Sequence, residues 1–243
     1  LGVVDDVFRV NAWVKLAVQI LAALVAVSQG IKIEHINLAG TYVNFGAWSS
    51  VITVLWIVGL TNAVNFIDGL DGLACGVSAI SSTVLLLVTL IIGEPGFVLI
   101  TAILAGACMG FLPFNSNPAK IFMGDTGALF LGYALSIIAV SGVYKTHMIL
   151  SFMIPIAVFG FPLLDTLFAI IRRVIRGKSP FAPDRGHLHH RLIDMGFGQK
   201  QSVRILYAIS GILGISAIML TQENLHKSAF MIIVALVVFL INY

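Results

Sequence analysis

Charge is what this sequence has least of. Asp, Glu, Lys and Arg together make up 10% of the 243 residues, whereas 59% are hydrophobic. A water-soluble domain carries about a quarter charged residues, because its whole surface must be solvated. The shortage excludes an ordinary soluble domain. A net charge of +3, from 14 basic and 11 acidic residues, is too small to mark a nucleic-acid binder. Cysteine is scarce too. Cys75 and Cys108 both fall in apolar runs, which reads as two small buried hydrophobes rather than a disulfide or metal pair. Internal repeats and low-complexity segments are missing, as is a signal-peptide pattern at the start. The chain opens at Leu1 without Met and reaches an Asp pair almost at once, so the expectation is that it comes from something longer.

What the sequence has is long apolar runs. A run of about 18 or more with few charges reads as a membrane span. Eight are expected, over 12–29, 47–65, 73–92, 96–114, 127–143, 148–171, 203–220 and 228–243. The fold class is therefore all-α, a polytopic transmembrane helical bundle forming a single membrane domain over 1–243, with a long loop over 172–202. One set of alternate loops holds eleven basic residues (Arg9, Lys15, Lys120, Arg172, Arg173, Arg176, Lys178, Arg185, Arg191, Lys200, Arg204), against Lys32, Lys145 and Lys227 in the other. The positive-inside rule makes the first set, and loop 172–202 with it, cytoplasmic. All eight aspartates sort to or near that same face, and the three glutamates to the opposite one. An Asp in mid-bilayer costs about 2.5–3.5 kcal/mol, so this one-sided clustering is an active-site pattern. In the outer loop 30–46, the runs flanking Ala39-Gly40-Thr41 predict a small β-hairpin.

Four cytoplasmic clusters carry the chemistry. Asp5-Asp6 precedes Arg9, Asn11 and Lys15. A carboxylate pair suits metal binding or a general base, and equally the capping of a helix. In Asn62-x-x-Asn65-x-x-Asp68-Gly-x-Asp71-Gly72 the polar groups recur every three residues, which on an unbroken helix would wrap half its circumference. Gly69 and Gly72 predict that the helix opens there. Asn117-Pro118-Ala119-Lys120 and Gly124-Asp125-Thr126-Gly127 place an Asp between glycines near a Lys, a combination that fits Mg²⁺ and phosphate. Finally, Asp184-Arg185-Gly186-His187-Leu188-His189-His190-Arg191 offers Arg and His donors for a diphosphate or sugar. Zinc is the weaker reading of its histidines, since neighbouring Cys or Glu ligands are missing. Helices starting near Asn11, Gly72 and Gly127 aim positive dipole ends at these clusters, where phosphate is attracted. Asp165, near the end of its span, is a candidate by virtue of its depth, and pairing with an Arg or Lys explains it equally well.

Together VVDD, NAVNFIDGLDGLA, NPAKIFMGDTGALFLG and DRGHLHHRL resemble, in order and over essentially the whole chain, the polyprenyl-phosphate N-acetylhexosamine-1-phosphate transferases. Members move a sugar 1-phosphate from a UDP-sugar to a lipid phosphate at the cytoplasmic face, using Mg²⁺. The resemblance implies that Asp5 and Asp6 activate the lipid phosphate or hold the site together. It implies that Lys15 contacts phosphate, that Asn65 and Asp125 bind the metal, and that Asn62, Asp68 and Asp71 serve the nucleotide. Arg185, His187, His189 and His190 would engage the diphosphate, with Lys120 nearby as a further substrate contact. The HLHH form is similar to the bacterial undecaprenyl-phosphate N-acetylglucosaminyl-1-phosphate transferase branch. Family members carry further spans before the Asp pair.

The expected reaction is therefore transfer of N-acetylglucosamine 1-phosphate from UDP-N-acetylglucosamine to undecaprenyl or another polyprenyl phosphate, with release of UMP. This is the first membrane step of a cell-wall or surface glycan in the bacterial plasma membrane. Mg²⁺ is the expected cofactor, with Mn²⁺ as a substitute, and a homodimer is compatible with this reading. Within the family the alternative is a phospho-N-acetylmuramoyl-pentapeptide transferase. Outside it, a secondary transporter would place ionisable groups near the midplane and show repeated halves, and a scaffold would need none of the four clusters.

Overall fold

The computed structural model describes residues 1–38, 41–143, 153–177, 186–222 and 224–242. It is helical throughout except for one hairpin. A short helix α1 (Gly2–Phe8) leads into α2 (Ala12–Ser28), and the hairpin β1 (His35–Leu38) and β2 (Thr41–Asn44) follows. Then come α3 (Ser49–Phe66), α4 (Leu73–Ile92), α5 (Pro95–Asn115), α6 (Gly124–Ile138), the broken pair α7 (Met153–Val158) and α8 (Gly160–Ile175), the short α9 (Leu188–Asp194), α10 (Gln199–Thr221) and α11 (Leu225–Asn242). The hairpin is antiparallel, pairing His35 with Asn44 and Leu38 with Thr41, where the outer loop predicts it.

Among the described residues, five stretches are long and apolar enough to cross a membrane: Gly46–Phe66, Leu73–Ile92, Pro95–Asn115, Gly124–Gly142 and Gln199–Thr221. The chain is a multi-pass membrane protein. Two of the eight expected spans differ from that pattern. The first is a shorter apolar helix, Ala12–Ser28, while the last expected span is covered by α11, Leu225–Asn242. The run expected over 148–171 is two helices interrupted at Phe159, and its first residues, 148–152, lie outside the described ones. Proline explains the break. Pro162 has no N–H to give the carbonyl four residues back, and the Val158 carbonyl thus released accepts the Ser81 hydroxyl of α4 at 3.4 Å. Freed backbone groups at membrane depth need such a neighbour. Several hydroxyls inside the spans are satisfied within their own helix. Thr53, Thr61, Ser82, Thr83, Thr101 and Ser210 each donate to the carbonyl one turn back, at 2.7–3.0 Å.

Helix α4 is the most buried of the five spans and is packed on α5, α10 and α6. One core joins Leu60, Leu85, Val88, Leu104, Leu135 and Phe159. A second joins Ile67, Leu73, Phe161, Leu188, Leu192 and Leu206. Leu188 and Leu192 are one turn apart on α9, so α9 is seated by its apolar face between the α3–α4 turn, α8 and α10. Loop 172–202 is thus no featureless connection: α8 runs into it, α9 sits inside it and α10 begins within it.

Two glycines let backbones meet. A Cβ on Gly132 of α6 would lie 2.7 Å from Thr61 Cα of α3, and one on Gly2 of α1 would lie 2.3 Å from Thr126 Cα. Small residues at such crossings allow close packing where lipid supplies no hydrophobic drive. The first brings the ends of α3 and α6 together one and two turns further on, at Asn65 and Asp125. The second lays α1 across the start of α6. Gly132→Ala is expected to force these helices apart and lower stability by about 1–3 kcal/mol, read as a drop in melting temperature in detergent micelles. An unchanged midpoint would mean the crossing tolerates a methyl group.

Candidate active site

The site is assembled at one end of the bundle from segments far apart in sequence. It starts with a helix cap supplied from elsewhere. Helix α6 begins at Gly124, whose φ of 65° suits glycine, without a side-chain cap from its own N-terminal neighbour. Asp6 of α1 fills that role. Its Oδ1 accepts the Asp125 N–H at 2.8 Å, and its Oδ2 accepts the Thr126 N–H at 3.1 Å and the Thr126 hydroxyl at 2.6 Å. The Thr126 hydroxyl foremost, and then the two backbone N–H groups, hold the Asp6 carboxyl below the usual range although burial opposes them. These first N–H groups of α6 are therefore already occupied by a carboxylate. The expectation that the helix end is open to phosphate does not hold for them.

Asp125, oriented by that cap, is the hub. Its Oδ1 accepts the side-chain N–H of Asn65 from the last turn of α3 at 3.1 Å, and its Oδ2 accepts the Lys15 ammonium of α2 at 2.9 Å. Lys15 also pairs with Asp5, whose other oxygen accepts the Val10 N–H at 2.6 Å. Burial works against the Asp5 charge, but the Lys15 ammonium and the Val10 N–H leave its pKa lowered. Asp68, half-buried in the α3–α4 turn, shows the opposite. Burial first, then the negative charges of Asp125 and Asp6, push it up to about 6. Among the described residues, four carboxylates thus share the neighbourhood of the Lys15 ammonium, an arrangement that favours a cation.

The predicted opening of the Asn/Asp motif is present. Helix α3 ends at Phe66 and α4 starts after Gly72, whose φ is 80°. The four polar residues consequently do different jobs. Asn65 and Asp68 join the cluster. Asn62 exchanges hydrogen bonds with the buried Gln19 of α2, at 2.6 and 3.3 Å. Asp71 accepts the Asn117 side chain at 3.0 Å and the Ala119 N–H at 3.1 Å, pinning the Asn117–Lys120 loop, and Asn117 also donates to Gln199 of α10 at 2.7 Å. Lys120 is exposed. Gln19 carried a usable signal in the sequence, since it is a lone polar residue one turn beyond Lys15 in an apolar helix.

The histidine motif closes one side. Arg185 lies outside the described residues. His187 precedes α9, and His189 and His190 are in its first turn. His189 packs on the Asn/Asp turn so closely that a Cβ on Gly69 would lie 2.5 Å from its Nε2. Asp165, read from sequence as a candidate or as a partner for Arg or Lys, instead meets His187 and the start of α9, each at 2.8 Å. Apolar crevices of about 370 and 350 Å³ flank the first turns of α6. Val18, Gln19 and Tyr133 line one, Leu104 and Phe122 line the other, and both reach Thr126 and Phe130.

A divalent metal fits this donor set. Asp125 offers a carboxylate and neighbouring Asn65, whose amide nitrogen is turned to Asp125 here, an amide oxygen, and Mg²⁺ typically takes one or two carboxylates and completes its shell with other oxygens and water. Among the described residues no group of three or more His, Cys, Asp or Glu is placed to hold a metal ion, which removes support for zinc there. Cys75 and Cys108 are both free and buried, the Cys75 thiol donating to the Cys108 carbonyl at 3.3 Å.

Residues 1–143 match the family model described as Glycosyl transferase family 4. The chain is 42% identical, over 98% of its own length and 67% of the other's, to a probable undecaprenyl-phosphate N-acetylglucosaminyl 1-phosphate transferase of Bacillus subtilis. It is 37% identical, over 98% of its length and 65% of the other's, to a decaprenyl-phosphate N-acetylglucosaminephosphotransferase of Mycobacterium tuberculosis. It is 35% identical, over 89% and 66%, to an undecaprenyl-phosphate alpha-N-acetylglucosaminyl 1-phosphate transferase of Thermotoga maritima. The chain therefore spans about two thirds of the length of these relatives.

His189 supplies a pH test. Burial first, then the charge of neighbouring His190, push its pKa down to about 4 from an ordinary 6.5. The unfolded chain then takes up this proton before the folded one. The stabilisation is complete above pH 6.5 and is lost as pH falls towards 4, by about 2 kcal/mol at pH 5. The melting temperature should fall between pH 7.5 and 5, and His189→Leu should flatten that slope. An equally steep fall in the variant would assign the acid sensitivity elsewhere.

Proposed function

Since the chain belongs to glycosyl transferase family 4, we propose that it transfers N-acetylglucosamine 1-phosphate from UDP-N-acetylglucosamine to a polyprenyl phosphate, releasing UMP, at the cytoplasmic side of a bacterial plasma membrane. The observation that carries this reading is the convergence of Asp5, Lys15, Asn65 and Asp125, drawn from separate motifs, on one hydrogen-bonded cluster at one end of an apolar bundle. The relatives' names supply the two substrates, and the concentration of basic loops supplies the face.

The chemistry follows from the groups present. An oxygen of the lipid phosphate attacks the β-phosphorus of the sugar nucleotide. The bond from that phosphorus to the bridging oxygen breaks, and UMP leaves with the electron pair. Phosphoryl transfer of this kind needs alignment and charge neutralisation more than covalent help. Lys15, between Asp5 and Asp125, is placed to receive a phosphate oxygen. Asp5 and Asp6, both with lowered pKa, are poor bases. A phosphate monoester has a second pKa of about 6, so the attacking oxygen is already unprotonated near pH 7. The Asp pair therefore acts by position: Asp5 holds Lys15, and Asp6 holds the start of α6 and with it Asp125. Asp125 and Asn65 would hold Mg²⁺, which when bound supplies positive charge to the diphosphate. His187, His189, His190 and Arg185 serve the diphosphate side, while Asn62, Asp68, Asp71 and Lys120 shape the nucleotide side. The apolar crevices beside Thr126 suit a lipid tail.

Asp125→Ala is expected to cut Mg²⁺-dependent UMP release at least about a hundredfold, measured in membranes given labelled UDP-N-acetylglucosamine and polyprenyl phosphate. Retained turnover would remove Asp125 from the site. The same assay run with UDP-linked N-acetylgalactosamine and muramoyl-pentapeptide reads the sugar preference, and absence of labelled lipid diphosphate with every donor would overturn the transferase reading.

A further inference from the structure

Asp165 is fully buried on α8, within the stretch read as a span. A carboxylate at that depth is costly without a partner. Its partners are not the arginines that follow it on the helix. Asp165 Oδ1 accepts the Leu188 N–H at 2.8 Å, and Oδ2 lies 2.8 Å from His187 Nδ1. One side chain thus provides the acceptor that the start of α9 lacks locally and fixes one edge of the His187 ring. Its surroundings reinforce that hold. Arg172, seven residues on and so on the same face of α8, lies against Gly186, where a Cβ would come within 2.2 Å of the guanidinium. Phe66 of α3 covers the His187 ring at 5.9 Å, and the His189 ring stacks on it at 5.7 Å and 10°.

A carboxylate only accepts, so His187 Nδ1 carries the hydrogen between them. Nε2, on the opposite edge of the ring, is the nitrogen left for another partner. We propose that Asp165 is the positioning residue of the histidine motif: it locks His187 with Nδ1–H turned into the bundle and Nε2 turned to the diphosphate of the sugar nucleotide. Only the identity of that diphosphate rests on the transferase reading. Asp165 itself touches no substrate and acts through His187, as carboxylates behind ligating histidines do when they set tautomer and ring orientation.

Two measurements on the protein in lipid nanodiscs test this. The first is an imidazole-tuned ¹H–¹⁵N spectrum, in which His187 is expected to give an exchange-protected Nδ1–H signal, assigned by its loss in His187→Gln. That signal should vanish or weaken in Asp165→Asn, whose single oxygen cannot serve both His187 and Leu188. The second is a double-mutant cycle on kcat/KM for UDP-N-acetylglucosamine, per folded molecule. Asp165→Asn should cost about 10–100-fold alone and almost nothing further in a His187→Gln background. A retained Nδ1–H signal, or an effect that adds in full to His187→Gln, overturns the proposal, as does a loss confined to the amount of folded protein. If Asp165→Asn does not fold, Asp165→Glu takes its place, and displacement of the carboxylate by one methylene should weaken both readouts. If the wild-type chain makes no labelled lipid, the transferase reading fails and the spectrum alone decides the positioning claim.

Discussion

The Lys15 ammonium between Asp5 and Asp125 is the interaction on which the rest of the site depends. Without it, carboxylates from α1, α6 and the α3–α4 turn would face one another at the end of an apolar bundle with no ammonium from the described residues bridging Asp5 and Asp125. Asp68 is pushed up to about 6 by burial first and then by the charges of Asp125 and Asp6, which Lys15 does not fully offset. That imbalance is functional rather than accidental on the proposed reading. A site fully neutralised by its own side chains would have no use for a divalent metal, and one with no lysine would repel a phosphate before a metal could help.

Helix ends and buried backbone groups leave donors and acceptors that need partners, and inside the bilayer no water can supply them. The structure meets this demand repeatedly by reaching across helices. Asp6 caps α6 from α1, Asp165 caps α9 from α8, and Ser81 takes the carbonyl that Pro162 releases. The first two are the same device used twice: a carboxylate on one helix satisfies the open end of another and in doing so orients the residue that matters, Asp125 in one case and His187 in the other. Glycine at positions 2 and 132 brings the backbones close enough for the first of these to work.

Much of this was legible beforehand. Apolar runs marked α3, α4, α5, α6 and α10, because period and length in a nonpolar solvent leave a helix as the obvious structure. Gly69 and Gly72 marked the point where α3 opens. The turn chemistry at Ala39-Gly40-Thr41 marked the hairpin. The broken span was harder. Pro162 lay in view, but a proline near a helix start is also an ordinary first-turn residue, and only the position of Ser81 distinguishes the two. The Asp pair read as a cap, a base or a metal ligand. Of these open readings the structure shows a cap for Asp6 alone, on a helix more than a hundred residues away rather than the one it precedes, while Asp5 pairs with Lys15.

By itself the sequence determined the medium, the number and kind of polar clusters, and the residue types each could offer, since composition, period and spacing are local properties that no folding step can alter. Which member of a cluster meets which partner was decided by tertiary structure. Asn62 and Asn65 are three residues apart in the same motif, yet one faces Gln19 and the other Asp125. Asp165 answers a histidine 22 residues away instead of an arginine on its own helix. The reason is the same in both cases: in an apolar bundle a polar side chain pairs with whatever the neighbouring helix presents at its own depth, and that depth is set by how the helices cross.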